Sequence, residues 1–398
     1  MNEAATAAPD APIWARPEAF PPAPSGWGWV DPKDINHPCE SLEALAEAVR
    51  NDRESAVCLV WTPDRPRMMV PEEIPHLETS VLEARRRWSS DDLDTASRKL
   101  QWSGTIFAVL FVYTLNAELR LQHDFLNALR AALNSTWVEI CFLLSVMFAA
   151  IPWYQARKQQ AELGQWSASA HVPLVRFSIW LDRQKAPVTW FILGLILLVG
   201  LAQMLPGNGI AAAGLDKEAY RQGEWWRIFT GPFLHGNPVH LFLNGAALLY
   251  LGKRLEVFAR WPHLPLVFLI SAWAGGEASL HFVEAPSVGA SGGLMGWLGF
   301  LLIFETLHSR LVPRSARRRL LAAVFLTALI GLLGHKFIDN AAHAGGLVAG
   351  MVYAALVFPR SVSAYRPKTH LVDRIGGILA LCILIAFACL AIWKISAA

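Results

Sequence analysis

VGASGGLMG (288–296) and NAAHAGGLVAG (340–350) decide how this chain is read. Each opens an apolar stretch, and each sets one polar side chain a few residues in: Ser291 and His343. Small residues recur at four-residue spacing, Gly289 with Gly293, Gly292 with Gly296, and Gly346 with Gly350. In apolar helices that spacing lets backbones approach closely. A serine hydroxyl is a poor nucleophile unless a base accepts its proton. The glycine face beside His343 therefore predicts a helix close enough to Ser291 for an Oγ–imidazole hydrogen bond. The Gly-x-Ser-Gly setting also admits a substrate backbone and permits a sharp entry into a helix. Backbone N–H groups at such a helix start stabilise an oxyanion.

Working outward, HGNPVHLFLN (235–244) carries His240 and Asn244, four apart and so on one helical face. The stretches starting near 238, 288 and 341 are predicted to enter the membrane from the same, outer side. At about 1.5 Å per residue, His240, Ser291 and His343 then sit at similar shallow depth. His240 and Asn244 would aim side-chain donors at one point, as acyl transfer requires. Ionisable residues in apolar spans are functional candidates by default, and in the six-span set His240, Glu277 and His343 are singled out on that ground. An isolated one reads equally well as glue between helices; convergence with a serine and an asparagine favours chemistry. Asp339 reads as a helix cap and, less well, as an acid orienting His343. Glu277 reads as a hydrogen-bonding partner of neighbouring helices.

The whole chain agrees with a membrane setting. Of 398 residues, 54% are apolar and 17% charged, below the roughly 25% charge of soluble domains. Nine stretches are long and apolar enough to read as spans: about 104–119, 136–153, 188–205, 238–252, 264–283, 288–305, 319–335, 341–358 and 374–394. A basic linker with Arg157, Lys158, Arg176, Arg183 and Lys185 follows the second. Arg310, Arg314 and Arg317–Arg319, with Lys253, Arg254 and Arg260, mark inner loops, so the N-terminus is expected in the cytoplasm and 206–237 outside. Residues 1–100 read as a small soluble module: extended or disordered over the first 35 or so, helical over 41–50, a strand over 56–61. Four domains follow, 1–100, 101–187 (two extra spans and the linker), 188–358 and 359–398. A net charge of +3 gives no case for nucleic acid. Cys39, Cys58, Cys141, Cys382 and Cys389 form no CxxC pair and read as packing residues, with no disulfide framework, metal site or cofactor expected. Neither an HExxH nor a pair of intramembrane aspartates is present.

GEWWRIFTGPFLHGNPVHLFLNGAALLYLGKRLE (223–256), together with the two segments quoted first, resembles the signature segments of rhomboid intramembrane serine proteases. The resemblance covers roughly 188–358. It implies an all-α polytopic membrane protein with a six-helix core, here with two extra N-terminal spans and one C-terminal span. It implies Ser291 as nucleophile, His343 as base, and His240, Asn244 and the Ser291 N–H as the oxyanion site. Trp226-Arg227 and Glu256 would be structural. Met295 departs from the pattern, since many members place an aromatic residue there to support the histidine ring. Expected partners are transmembrane protein substrates and the lipid bilayer, and the expected location is a bacterial inner membrane. The alternative is a catalytically silent, rhomboid-like adaptor that binds transmembrane clients.

Overall fold

The computed structural model describes residues 11–53, 56–122 and 124–398. The chain divides into two compact units.

The first unit comprises Pro17–Ile179 with Leu332–Gly334. It opens on a three-stranded antiparallel sheet ordered β2-β1-β3: β1 (Trp27–Val30), β2 (Asn36–Cys39) and, after helix α1 (Leu42–Arg50), β3 (Leu59–Trp61). Ser41 starts α1 by accepting from Ala44 N–H. Leu45 and Val49 on its inner face pack with Val57, Val60, Ile74, Leu77 and Val81. The helix expected over 41–50 and the strand within 56–61 are thus both present. Residues 1–10 of the stretch expected to be extended or disordered lie outside the described residues. From residue 11 on that expectation is corrected. Phe20 is buried, and Trp27–Val30 is the central strand, its alternate residues turned to the core. Pro12 precedes one 3-10 turn and Pro17 opens another, positions where a missing N–H is harmless.

Helix α2 (Glu78–Gln122) runs unbroken for 45 residues. The domain boundary expected near 100 therefore falls inside one helix. Then come α3 (Phe125–Leu133), α4 (Thr136–Ser145) and α5 (Ile151–Glu162), the last two joined by a wider π turn at Val146–Ala150. Pro152 explains that turn: its ring crowds the carbonyl four residues back and it donates no hydrogen bond. The expected linker is mostly helical as well. In α6 (Ala168–Asp182), Arg176 is buried and donates to both carboxylate oxygens of Glu73, at 2.7 and 2.8 Å.

The second unit comprises Trp180–Gly331, His335–Ala398 and the described part of Met1–Arg16. Its helices are α7 (Pro187–Ala202), the short loop helices α8 (Gly209–Ala213), α9 (Lys217–Arg221) and α10 (Arg227–Thr230), then α11 (Pro238–Ala259), α12 (His263–Phe282), α13 (Ser291–Leu307), α14 (Arg314–Leu333), α15 (Asn340–Val357) and α16 (Leu371–Ser396). Pro238 suits the first position of α11, and Asn237 caps it through His240 N–H. That helix runs seven residues past its expected end at 252, so Arg254 and Glu256 are helical. The reason is pairing. Arg254 meets Glu305 of α13 in a buried two-point contact of 2.5 and 2.7 Å, which satisfies both charges away from water. Glu256 accepts from Val188 N–H, Thr189 N–H and the Thr189 hydroxyl, at 3.1, 2.8 and 2.7 Å, closing the start of α7.

Each of the nine stretches expected to span the membrane falls largely on helix, five of them overrunning a helix end by one to three residues. Among the described residues, four are long and apolar enough on those grounds alone: Pro75–Leu121, Thr136–Glu162, Asn340–Val357 and Leu371–Ser396. The broken pair Ala170–Asp182 and Pro187–Ala202 would make a fifth. Helices α11, α12, α13 and α14 do not meet that measure.

Candidate active site

The site is built where α13 and α15 meet main chain to main chain, with α12 packed alongside. A Cβ on Gly346 would fall 2.0 Å from the Gly292 carbonyl oxygen, and one on Gly350 1.9 Å from that of Gly296. One on Gly275 would fall 2.6 Å from the Ala342 carbonyl oxygen. Only glycine permits such contact, so two of the spacings read from the sequence, Gly292 with Gly296 and Gly346 with Gly350, form a main-chain seam, while Gly293 meets the Phe268 ring. Ser291 is the first residue of α13 and His343 lies in the first turn of α15. The seam begins one residue after Ser291 and three after His343. Among the described residues no hydrogen bond joins their two side chains. Catalytic contacts are often long before substrate binds and tighten on the complex.

The segment before Ser291 is held in an unusual shape. Gly289 has φ +121°, and a Cβ there would fall 2.6 Å from the His240 ring and 3.4 Å from Asn244 Nδ2. The ring and amide of α11 thus lie against the backbone two residues before the serine. Gly289 N–H donates to the Gly231 carbonyl at 3.0 Å, and Leu215 and Ser287 pair as a short β-bridge. Ala342, the residue before His343, lines the same recess as Ser291 and Gly289. The four residues singled out from the sequence are therefore all carried to one region. Ser291 opens onto a recess of about 40 Å³ lined by Gly231, Gly276, Gly289, Ala342 and Asp339 among others.

Asp339 acts as a cap. Its Oδ1 accepts from Ala342 N–H at 2.9 Å, and its Oδ2 accepts from the hydroxyls of Ser279 and Ser287, the latter at 2.5 Å. Among the described residues, none of its hydrogen bonds is to the His343 ring. Glu277 accepts from Trp273 on its own helix and from Tyr220 of α9, at 3.1 and 3.4 Å. Arg227 is buried in the loop and holds it through the carbonyls of Ala211 and Gly214, both at 2.9 Å. Met295 lies on α13, partly buried.

Two residues escaped the sequence reading. His235 accepts from Asn244 Nδ2 at 3.0 Å through Nε2 and lies edge-on to His240. Burial, with His240 adding to it, holds His235 down to about 4, so its ring stays a neutral acceptor. One N–H of the Asn244 amide is thereby anchored and the other left for the site. Its spacing, five before His240, was the available signal. Lys217 is 3% exposed and donates to Ser287 Oγ at 2.6 Å; its position in a polar loop gave no signal.

Comparison with known proteins agrees with this geometry. The Rhomboid domain family matches residues 222–360. Rhomboid protease GluP of Bacillus subtilis (strain 168) is 32% identical over 146 residues, 37% of this chain and 29% of GluP. RHOMBOID-like protein 6, mitochondrial, of Arabidopsis thaliana is 35% identical over 151 residues, 36% of this chain and 48% of that protein. RHOMBOID-like protein 4 of the same plant is 35% identical over 153 residues, 37% and 38% of the two chains. The match thus spans less than half the length of each of these relatives. With glycine-packed helices carrying Ser291 and His343 inside the matched residues, this multi-pass membrane protein contains a region, 222–360, that is similar to the rhomboid family.

Proposed function

We propose that the protein is an intramembrane serine endopeptidase that cleaves transmembrane segments with a Ser291–His343 dyad. The observation that carries this is the main-chain seam between α13 and α15, which leaves no side chain to hold the two residues apart. The similarity to Rhomboid protease GluP adds support. A substrate helix enters laterally and unwinds near the outer face, where water also reaches the dyad. His343 takes the Ser291 proton as Oγ attacks the scissile carbonyl. His240, Asn244 and the Ser291 N–H receive the oxyanion, donors of this kind being worth roughly 2.7–4 kcal/mol each. His343 then returns the proton to the leaving amine, and water, deprotonated in turn by His343, releases the acyl group. Residues 188–358 would be the catalytic unit. Alternation of basic and weakly charged loops supports a cytoplasmic N-terminus, and a bacterial inner membrane is the proposed location.

The test is a gel cleavage assay in detergent with a single-span substrate, beside Ser291→Ala and His343→Ala. Cleavage by the parent alone, with fluorophosphonate labelling of Ser291, is the expected outcome. Folded parent protein that neither cleaves nor labels would replace this reading with the silent adaptor.

A further inference from the structure

A lysine in a loop is ordinarily solvated, because burying an unpaired ammonium is strongly unfavourable. Lys217 begins α9 and is 3% exposed. Its Nζ donates to Ser287 Oγ at 2.6 Å, and the Ser287 hydroxyl donates onward to Asp339 Oδ2 at 2.5 Å. Ser279, at the far end of α12, donates to the same oxygen. The other Asp339 oxygen caps the helix that carries His343 four residues later. Four segments therefore converge on one carboxylate: the 206–237 loop, α12, the segment before Ser291, and the start of α15. The Leu215–Ser287 bridge brings the loop alongside the same serine.

Resting on the protease reading, we propose that Lys217 is a positioning residue, whose ammonium clasps the outer loop, through Ser287, to the Asp339 cap of the helix bearing the general base. It touches neither substrate nor the reacting atoms. It fixes the first turn of α15, and with it the direction of the His343 ring, while binding the loop beside the recess at Ser291.

The clasp has a pH signature. Burial brings Lys217 down to about 8, against the upward pull of Asp339 and Asp216. The other ionisable groups nearby, Tyr220 and Glu277, are engaged with each other. The ammonium is therefore lost as pH rises through about 8, and the clasp with it. The sign for folding is opposite. Between about 8 and 10.5 the unfolded chain holds more protons at this residue than the folded one, so its contribution to stability rises with pH. Catalysis is expected to fall on the alkaline side without unfolding from this group.

The experiment uses the full chain in detergent. Cleavage of a single-span substrate is followed from pH 6.5 to 9.5 for the parent, Lys217→Met, Lys217→Arg and Asp339→Asn, with amide hydrogen exchange over 340–344. Expected for Lys217→Met is a fall in kcat of about tenfold or more with KM within about twofold, the pattern of a lost orienting contact. The alkaline limb near pH 8 disappears, and Lys217→Arg restores kcat while moving the limb upward. Parent-like kcat and an unchanged limb in Lys217→Met overturn the proposal. If the parent itself neither cleaves nor labels, the protease reading fails, and exchange alone decides: faster exchange over 340–344 in Lys217→Met sustains the clasp, and unchanged exchange overturns it. If Lys217→Met does not fold, Asp339→Asn, which keeps the capping oxygen, is read by the same criteria.

Discussion

At Asn244 a single amide nitrogen has two tasks: it is fastened to His235 Nε2 at 3.0 Å, and it lies against the Gly289 backbone. The fastening works only while His235 is neutral, since a protonated ring has no acceptor. The folded chain holds His235 at about 4 against an ordinary 6.5, so as pH falls from about 6.5 to 4 the unfolded chain takes up a proton that the folded one refuses. Stability is lost through that window, on the order of 3 kcal/mol in full. Thermal unfolding in detergent at pH 7 and pH 4.5 will show the loss, and His235→Gln, which keeps an acceptor without titrating, will remove this part of it. Ser291, His343, His240 and Asn244 were legible because a polar side chain inside an apolar run is conspicuous. His235 and Lys217 were not, because polar loops supply no contrast, and their burial depends on partners 9 and 70 residues away.

Helices were legible as apolar runs, but their ends were not. Reading Lys253 and Arg254 as loop residues followed from their charge, whereas in the fold Arg254 is helical, and it and Glu256 are desolvated by partners on other helices. Glu305 of α13 and the start of α7 supply those partners. The Arg254–Glu305 pair is the larger commitment, with both side chains buried. Arg254→Ala will leave a carboxylate stranded and destabilise the protein by about 3–5 kcal/mol. The double change Arg254→Met with Glu305→Met will recover much of that loss, since apolar groups of similar volume replace the pair. Comparing the unfolding temperatures of the two variants tests this. The π turn between α4 and α5 was equally hidden, although Pro152 gives its cause.

For the whole molecule, the sequence made the membrane setting plain and the division of the chain less so. Residues 101–179 pack as one unit with the N-terminal sheet, while the expected boundary at 100 interrupts α2. A helix continuous from soluble module to apolar segment leaves no change of composition sharp enough to mark a domain edge. Orientation is testable at this scale. An alkaline phosphatase fused within 206–237 is expected to be active in the periplasm of a bacterial host, and one fused at the N-terminus inactive. The reverse pattern would move the Ser291 recess to the cytoplasmic side.

The meeting of α13 and α15 through main-chain atoms makes the protein a fixed gauge. The backbone has the same dimensions in every copy and every descendant, so the separation of the Ser291 helix from the His343 helix is insulated from drift in the surrounding side chains. Lipid-facing positions such as Val348 and Val352, half exposed on α15, are free to follow the membrane in which the chain resides. The calibration of the site is written in an absence of side chains, and it is altered only by adding one.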